Sequence, residues 1–374
     1  MRLPTWLWLL LALGLLVAAL GLWLVLSAGK APPAELLELN RPVQAIPLAV
    51  LGDSDSHSYQ DALYPAGSGR SSEFRERTFS WVESLARLRG SELDPGPWLT
   101  WGNNRYIAFA TQLLGLPVGR APRKQDYLYN FAYYGAICDD LMGRRMRQAP
   151  SLAALMAKEP ARWQHGVVVI RMGLNDWQGM LDLQARDPQA AELDAAIAHC
   201  RDRIGAAMAL LRQQQPGLRF MVVGIGNEID DPSQFERFRS AEETGNTAAA
   251  LARFNGALRT LAEQTPGAAF FDQDAWFRRL WGSRTPDGLP IYRTVTVGGG
   301  FEVSNAAAGD DPHNALLDDH HSGTVWNALW AQSLVARLRE AFGLPLTPVS
   351  DEELWRYLQP LVTPVKAKAR APVP

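Results

Sequence analysis

Three short apolar runs, separated by segments with helical periodicity, constrain the fold more than any other feature of this sequence. Residues 46–51, 167–170 and 218–225 are runs of strand length in which most side chains are apolar. Such near-continuous runs are typical of strands buried on both faces of a parallel sheet. Residues 190–214 and 247–264 show helical periodicity instead. Strands that alternate with helices predict an α/β fold in which helices cover both faces of a parallel sheet.

The remaining predicted elements continue this alternation. They are helices at 73–89, from 136 through Arg147 and at 324–342, a strand at 268–271, a hairpin at 291–303, and a short helix capped by Ser350. Residues 91–129 are irregular in pattern and carry clustered Trp, Tyr, Gly and Asn. We interpret this segment as an insertion over the active face, either a lid or a substrate platform, or else as a second piece of core. Residues 286–308 are a second predicted insertion.

The amino end is apolar enough to be a membrane segment. The run from Trp6 to Leu26 contains no charged residue and is long enough to cross a bilayer. We therefore expect residues 1–30 to be an uncleaved signal anchor, with residues 31–45 as a linker, and cleavage before Ala28 is the alternative. Arg2 on the short leading side predicts a cytoplasmic amino end and a body on the outer side, periplasmic or extracellular.

The composition argues against one class of partner and does not decide whether the two cysteines form a disulfide. The formal net charge of −2 argues against nucleic acid as a partner, because nucleic-acid binding usually needs a basic patch. Cys138 and Cys200 could pair in an oxidising compartment. However, Cys200 shares a helical face with Ile197, Ile204 and Leu211, so we expect two buried thiols.

Polar turns follow two of the predicted strands. Gly52-Asp53-Ser54 ends the first run, and Gly173-Leu174-Asn175-Asp176 ends the run of β-branched residues. Ligands bind beyond the carboxyl ends of the strands in open α/β sheets. A serine in such a turn can expose its hydroxyl while backbone N–H groups face a reacting carbonyl. Taken alone, each turn is also an ordinary way to leave a strand.

Two further blocks complete a pattern that resembles a known family. Asn130 to Gly135 and Asp318-Asp319-His320-His321 follow in the order, and with the α/β spacing, of the SGNH (GDSL-type) hydrolases. The resemblance covers residues 47–342. It implies a flavodoxin-like three-layer α/β/α sandwich with a parallel sheet that hydrolyses esters. We expect this hydrolase domain at 46–346, followed by a short helix and flexible tail at 347–374.

The resemblance also implies a role for each matching residue. Ser54 would be the nucleophile, His321 its general base, and Asp318 the group that orients the imidazole. The backbone N–H groups of Ser54 and Gly135 and the side chain of Asn175 would form the oxyanion hole. The Asp-x-x-His spacing makes Asp318 and His321 the active pair, and leaves Asp319 and His320 as spectators.

The sequence indicates an acyl ester as the substrate and does not identify which ester. We expect hydrolysis, or transfer, of an ester carried by a carbohydrate or a lipid, for example O-acetyl groups of cell-envelope carbohydrate. The candidate substrate-binding residues are Asp55, Trp101, Asn104 and Trp177. No metal or other cofactor is expected.

Two alternatives from other classes remain open. Asp55-Ser56-His57, Gly102-Asn103-Asn104 and His320-His321 could begin the site of a dinuclear metal-dependent phosphoesterase. The chain could also be a non-catalytic envelope binding protein on a hydrolase scaffold.

Overall fold

The computed structural model describes residues 4–27, 44–63, 72–114, 120–143, 146–318 and 321–363. Most of the predicted linker, the spectator pair Asp319 and His320, and the predicted tail beyond Thr363 lie outside the described residues. The domain boundaries that depend on them stay predictions.

Helices and short strands alternate along the chain. The strands are β1 Ile46–Gly52, β2 Leu93–Asp94, β3 Trp98–Trp101, β4 Lys124–Tyr127, β5 Val167–Arg171, β6 Arg219–Val223, β7 Ala268–Phe271, β8 Gly282–Arg284, β9 Pro290–Tyr292, β10 Val295–Val297, β11 Phe301–Ala308 and β12 Asn314–Leu316. The α-helices are α1 Thr5–Ser27, α2 Ser72–Arg77, α3 Trp81–Arg89, α4 Arg105–Leu113, α5 Gln148–Met156, α6 Pro160–Trp163, α7 Leu174–Trp177, α8 Leu181–Arg186, α9 Ala191–Gln214, α10 Ala241–Gln264, α11 Gln273–Trp281, α12 Thr324–Phe342 and α13 Asp351–Val362.

The central sheet has five strands in the order β2-β1-β5-β6-β7. Every neighbouring pair in it is parallel. Numbered along the chain, these five strands have the order 2-1-3-4-5, which is the flavodoxin-like arrangement. The predicted fold class is therefore confirmed by the topology.

Both faces of the sheet are buried, as the apolar runs predict. Successive side chains of a strand point to opposite faces, and in β1 Ala49 and Leu51 face one core while Leu48 and Val50 face the other. Helices α5, α9 and α10 cover the first face, and helices α3, α12 and α13 cover the second. The carboxyl edge of the sheet is left between these two layers.

The predicted helix at 73–89 is two helices in the structure. α2 ends at Arg77 and α3 begins after Ser80. Glu83 explains the break, because its carboxylate accepts the backbone N–H of Ser80 at 2.7 Å in a capping box. The apolar periodicity continues across the break and hides it.

Two more segments differ from the prediction. The helix expected from 136 through Arg147 is a 3₁₀ turn, Cys138–Leu141, and the α-helix starts only at Gln148. Arg147 has φ of 48°, a left-handed conformation that ends helical propagation. In residues 91–129, for which both an insertion and a second piece of core were predicted, β2 pairs with β1 and so belongs to the main sheet, as the second alternative requires.

The expectation of two free thiols is wrong. Cys138 and Cys200 form a disulfide. Cys200 does lie on the buried face of α9, as its periodicity predicts. The sequence pattern did not predict the 3₁₀ turn Cys138–Leu141. This turn packs against α9 and brings Cys138 to the face that carries Cys200.

Helix α1 is the one described helix that is long and apolar enough to span a membrane. Its candidate span, Trp6–Trp23, has a mean hydropathy of 2.2 and none of it is buried against the rest of the chain. By length and composition this helix is compatible with a single-pass anchor.

The disulfide predicts a measurable thiol count and stability. Protein isolated without reductant should show no free thiol in denaturant, and two after reduction. Closing a loop of 62 residues should stabilise the fold by about 4 kcal/mol in the chain-entropy treatment. Urea unfolding of the oxidised and reduced protein measures this difference, with the Cys138→Ala/Cys200→Ala variant as the control that reductant should not affect. Two free thiols in the unreduced protein would contradict the pairing.

Candidate active site

The turn after β1 carries the predicted nucleophile. Gly52 is held by Gln148, whose side-chain amide bonds both its N–H and its carbonyl oxygen, at 2.9 and 2.8 Å. A Cβ at position 52 would lie 2.5 Å from the carbonyl oxygen of Arg171, so only glycine fits there. Asp53 Oδ1 accepts the N–H of Asp55, which closes the turn. Ser54 is half-buried at the tip of this fixed turn.

A histidine oriented by a carboxylate lies at the loop before α12. His321 Nδ1 is 2.9 and 3.0 Å from the two carboxylate oxygens of Asp318, which also accepts the backbone N–H of His321. Within the described part of the chain, His321 Nε2 is buried and has no hydrogen-bond partner. A proton on Nδ1 therefore leaves Nε2 as an acceptor, which is the arrangement a general base requires.

The predicted oxyanion-hole residues lie on two neighbouring segments. Gly135 has φ of +69°, and this left-handed conformation is one that glycine adopts without strain. Asn175 lies in the first turn after β5 and donates from Nδ2 to the carbonyl oxygen of Ala136 at 2.8 Å. Its Oδ1 accepts a hydrogen bond from Gln178 at 3.0 Å, which fixes the amide orientation. One N–H of Asn175 Nδ2 therefore stays available to a substrate oxygen.

Direct contacts bring these segments together at the carboxyl edge of the sheet. The N–H of Tyr133 donates to the carbonyl oxygen of Gly52 at 3.1 Å. The ring of Tyr134 stacks on His321 with centroids 5.5 Å apart. Tyr59, five residues after Ser54, donates its hydroxyl to the carbonyl oxygen of Ser322 at 3.1 Å. Burial raises the pKa of Tyr59, so this hydroxyl remains a donor at physiological pH.

A second histidine, His57, was not assigned to the hydrolase site by the sequence. His57 Nε2 lies 2.8 Å from Asp61 Oδ2, and Nδ1 accepts the backbone N–H of Tyr134 at 3.2 Å. The ring also stacks on Tyr133. Because Nδ1 accepts, the proton must lie on Nε2. His57 thus ties the turn of the nucleophile to the segment that leads into Gly135.

The surroundings of His57 keep it neutral. Burial, followed by the positive charge of Lys124, lowers the pKa of His57. Both ring nitrogens are engaged, so neither is available as a metal ligand. This geometry argues against the phosphoesterase alternative, which needs His57 to bind metal.

Buried charged side chains hold the segment that leads into Gly135 by hydrogen bonds to its backbone. Arg120 is buried and donates to the carbonyl oxygens of Trp101, Tyr127 and Asn130. Lys124 Nζ lies 2.7 Å from Asp126 and also bonds the carbonyl oxygen of Ala132. Burial lowers the pKa of Arg120 to about 10 and that of Lys124 to about 8.

Two of the four predicted substrate-binding residues are tryptophans that the structure buries. Trp177 is 1% exposed and packs on Phe254 in the core, so its prediction as a substrate contact is wrong. Trp101 is also buried, with its ring perpendicular to that of Phe131, so it does not present an exposed face to a sugar. Trp177 follows the polar turn after the second strand, a position that gave no indication of this burial, whereas burial of Trp101 agrees with the alternative of a second piece of core at 91–129.

The two polar candidates remain open. Asn104 is exposed, and its Oδ1 accepts the N–H of Tyr106. Asp55 is buried and forms an ion pair with Arg171 at 2.9 Å. The carboxylate that follows Ser54 is therefore paired with a neighbouring guanidinium.

The cavities in the described part of the chain include one of about 190 Å³ and one of about 50 Å³. The larger is lined by residues that include Phe74 and Leu317, and the smaller by residues that include Asp55 and Trp326. Neither is lined by Ser54, Gly135 or Asn175. The smaller cavity is nevertheless lined by Asp55, Leu174 and Ser322, the sequence neighbours of Ser54, Asn175 and His321.

Comparisons with known proteins add distant structural similarities. No family model and no curated protein matches this chain. Among solved structures it is similar to the lipase Lip_vut3 from a goat rumen metagenome (14% identity, TM-score 0.39, covering 80% of this chain and 98% of that one). It is also similar to a "putative GDSL-like lipase" from Parabacteroides merdae ATCC 43184 (14%, 0.39, 82% and 99%) and to a possible lipase from Chitinophaga pinensis DSM 2588 (14%, 0.35, 80% and 99%). These similarities are too distant to carry an argument about activity.

His57 yields a prediction because asparagine and glutamine each reproduce one of its two hydrogen bonds. Asn can accept the Tyr134 N–H in place of Nδ1, whereas Gln can donate to Asp61 in place of Nε2. We expect His57→Gln to lower kcat by about tenfold to a hundredfold, since a small displacement of catalytic donors has effects of this size. His57→Asn should retain most of kcat. Steady-state kinetics on a soluble ester measures the difference, and equal losses in the two variants would contradict the assignment.

The pH dependence of stability provides a second readout for His57. Its pKa is lower in the folded state, so the unfolded chain binds more protons as the pH falls below about 6.5. Stability should therefore decrease with falling pH from that point, and His57→Asn should reduce the decrease.

Proposed function

We propose that this protein is a serine esterase that hydrolyses or transfers a short acyl group. The observation that carries the proposal is the His321–Asp318 pair, which leaves Nε2 of His321 unengaged at the sheet edge where the turn of Ser54 lies. The four sequence blocks that resemble the SGNH hydrolases meet at this edge.

The chemistry follows from these positions. Ser54 Oγ attacks the acyl carbon while His321 Nε2 accepts its proton, and Asp318 stabilises the resulting imidazolium. The N–H groups of Ser54 and Gly135 and the amide of Asn175 stabilise the oxyanion of the tetrahedral intermediate. This intermediate expels the alcohol, which takes the proton from His321. Water, or the hydroxyl of an acceptor, then attacks the acyl-enzyme while His321 Nε2 accepts its proton. The second tetrahedral intermediate releases the acid or the new ester, and His321 returns the proton to Ser54 Oγ.

The acyl group of the proposed substrate is a short one. A long acyl chain needs an apolar pocket beside the nucleophile, and neither cavity is lined by Ser54 or the other predicted oxyanion residues. O-acetyl groups of cell-envelope carbohydrate are esters of this kind. An acetylated sugar hydroxyl would present the ester to an open edge without burying the rest of the polymer.

The proposed location is the outer side of a membrane. Helix α1 would be a single-pass anchor, and Arg2 at its leading side favours a cytoplasmic amino end. The Cys138–Cys200 disulfide supports the same orientation, because disulfides persist in oxidising compartments outside the cytoplasm.

The triad predicts a non-additive pattern of losses. Ser54→Ala and His321→Ala should each lower kcat by about 10⁴-fold or more, and the double variant should be little worse, because the two residues act as a unit. Asp318→Asn should also be severe. The assay is hydrolysis of p-nitrophenyl esters from C2 to C16, alongside acetylated sugars, by the full chain, and activity should be highest at C2.

Two controls separate this proposal from its alternatives. His320→Ala should cost less than about tenfold, and dialysis against EDTA should leave activity unchanged. Loss of activity in EDTA that Mn²⁺ restores would favour the phosphoesterase instead. Hydrolysis that survives Ser54→Ala, or no hydrolysis of any ester by the intact protein, would contradict the proposal.

A further inference from the structure

Exposed apolar side chains concentrate in one short segment of the described chain. Outside α1, nine large apolar side chains are exposed, and five of them lie between Trp98 and Leu114. The nine are Leu63, Trp98, Tyr106, Phe109, Leu113, Leu114, Tyr134, Leu289 and Ile291. A contiguous apolar patch on a protein surface marks an interaction site, whereas single exposed residues need no explanation.

Helix α4 presents most of this patch. Tyr106, Phe109 and Leu113 follow one another at helical spacing and are 69%, 41% and 65% exposed. Ala108 and Thr111, on the other side of the helix, are buried. The helix therefore packs on the domain through its small side chains and turns its large apolar side chains outward. This is the reverse of the usual surface helix of a water-soluble domain.

The contact between α1 and α4 indicates that lipid covers the exposed apolar face of α4. α1 and α4 are in contact in the structure. None of the apolar span of α1 is buried, and Leu13 and Leu16 are 61% and 67% exposed, which is compatible with a helix whose surroundings are hydrocarbon. A helix in contact with such a span lies at the same membrane. Tyr106 on α4 is of a residue type that is enriched at membrane–water interfaces.

The patch is rigidly connected to the candidate active site. Arg120 bonds the carbonyl oxygens of Trp101, before α4, and of Asn130, at the start of the segment leading to Gly135. Trp101 also packs on Phe131. Whatever α4 binds is therefore held at a fixed position relative to the oxyanion segment.

We infer that α4 lies flat in the interface of the bilayer that α1 spans, with Tyr106, Phe109 and Leu113 among the lipids. The inference rests on the anchor proposed above and extends it: the domain is docked on the membrane rather than suspended from a linker. The catalytic edge is then held near the bilayer, where an ester attached to a membrane-bound or membrane-proximal carrier can reach it.

Site-directed fluorescence in nanodiscs tests the docking. The chain has two cysteines and they form a disulfide, so an introduced cysteine is the only free thiol. Full-length Phe109→Cys and Leu113→Cys would carry the fluorophore NBD, in discs that hold one protein each, so that self-association cannot cover the patch. Lipids with a nitroxide on the acyl chain serve as the quencher. Leu13→Cys in α1 reports the anchor, and Glu263→Cys, exposed on α10, is the control.

The expected result is a blue shift and a several-fold larger loss of fluorescence at 109 and 113 than at 263, together with strong quenching at 13. Quenching at 13 but no more at 109 and 113 than at 263 would overturn the docking and leave the anchor intact. No quenching at 13 would overturn the anchor, and the docking with it.

Discussion

The candidate site depends on the alignment of residues 129–133 with the end of β1. The N–H of Val50 donates to the carbonyl oxygen of Tyr129, Phe131 donates to Val50, and Tyr133 donates to Gly52. Through these bonds residues 129–133 run alongside the carboxyl end of β1. Tyr134 and Gly135, which follow, therefore lie near the turn of Ser54. Without them, the turn of Ser54 would persist, but Gly135, the predicted oxyanion donor, would not be aligned with it. Tyr134 would also lose its contacts with His57 and His321.

A buried set of charges holds this segment in place. Arg120, Lys124 and Asp126 are almost fully buried. Arg120 and Lys124 donate to backbone carbonyl groups around the segment, and Asp126 accepts from Lys124 and from the side-chain amide of Asn130. A buried ion pair adds little net stability by itself, because desolvation offsets the attraction. Its removal is nevertheless costly, since it leaves one charge unpaired. We therefore regard the cluster as a device that fixes one backbone conformation at the site, more than as a source of stability.

The sequence predicted the features that depend on periodicity and chain order. The apolar runs predicted β1, β5, β6 and β7, the helical pattern at 324–342 matches α12, and the Asp-x-x-His spacing selected the pair that the structure brings into contact. It could not predict features that depend on distant segments meeting. Lys124 and Arg120 occur in a loop-like stretch, where charged residues are normally solvated, and Cys138 needed the 3₁₀ turn to reach α9. His57 illustrates the same limit, because its partner Asp61 is local but the N–H of Tyr134 lies 77 residues away.

The most direct test of the central claim is covalent labelling of the intact protein with a serine-directed fluorophosphonate, followed by mass spectrometry of the peptides. An activated serine reacts because a base removes its proton, whereas other surface serines do not. We expect a single adduct on Ser54 in the wild-type protein and none in His321→Ala over the same time. An adduct on a different serine, or a folded wild-type protein in which Ser54 stays unmodified, would contradict the assignment of this edge as a serine esterase site.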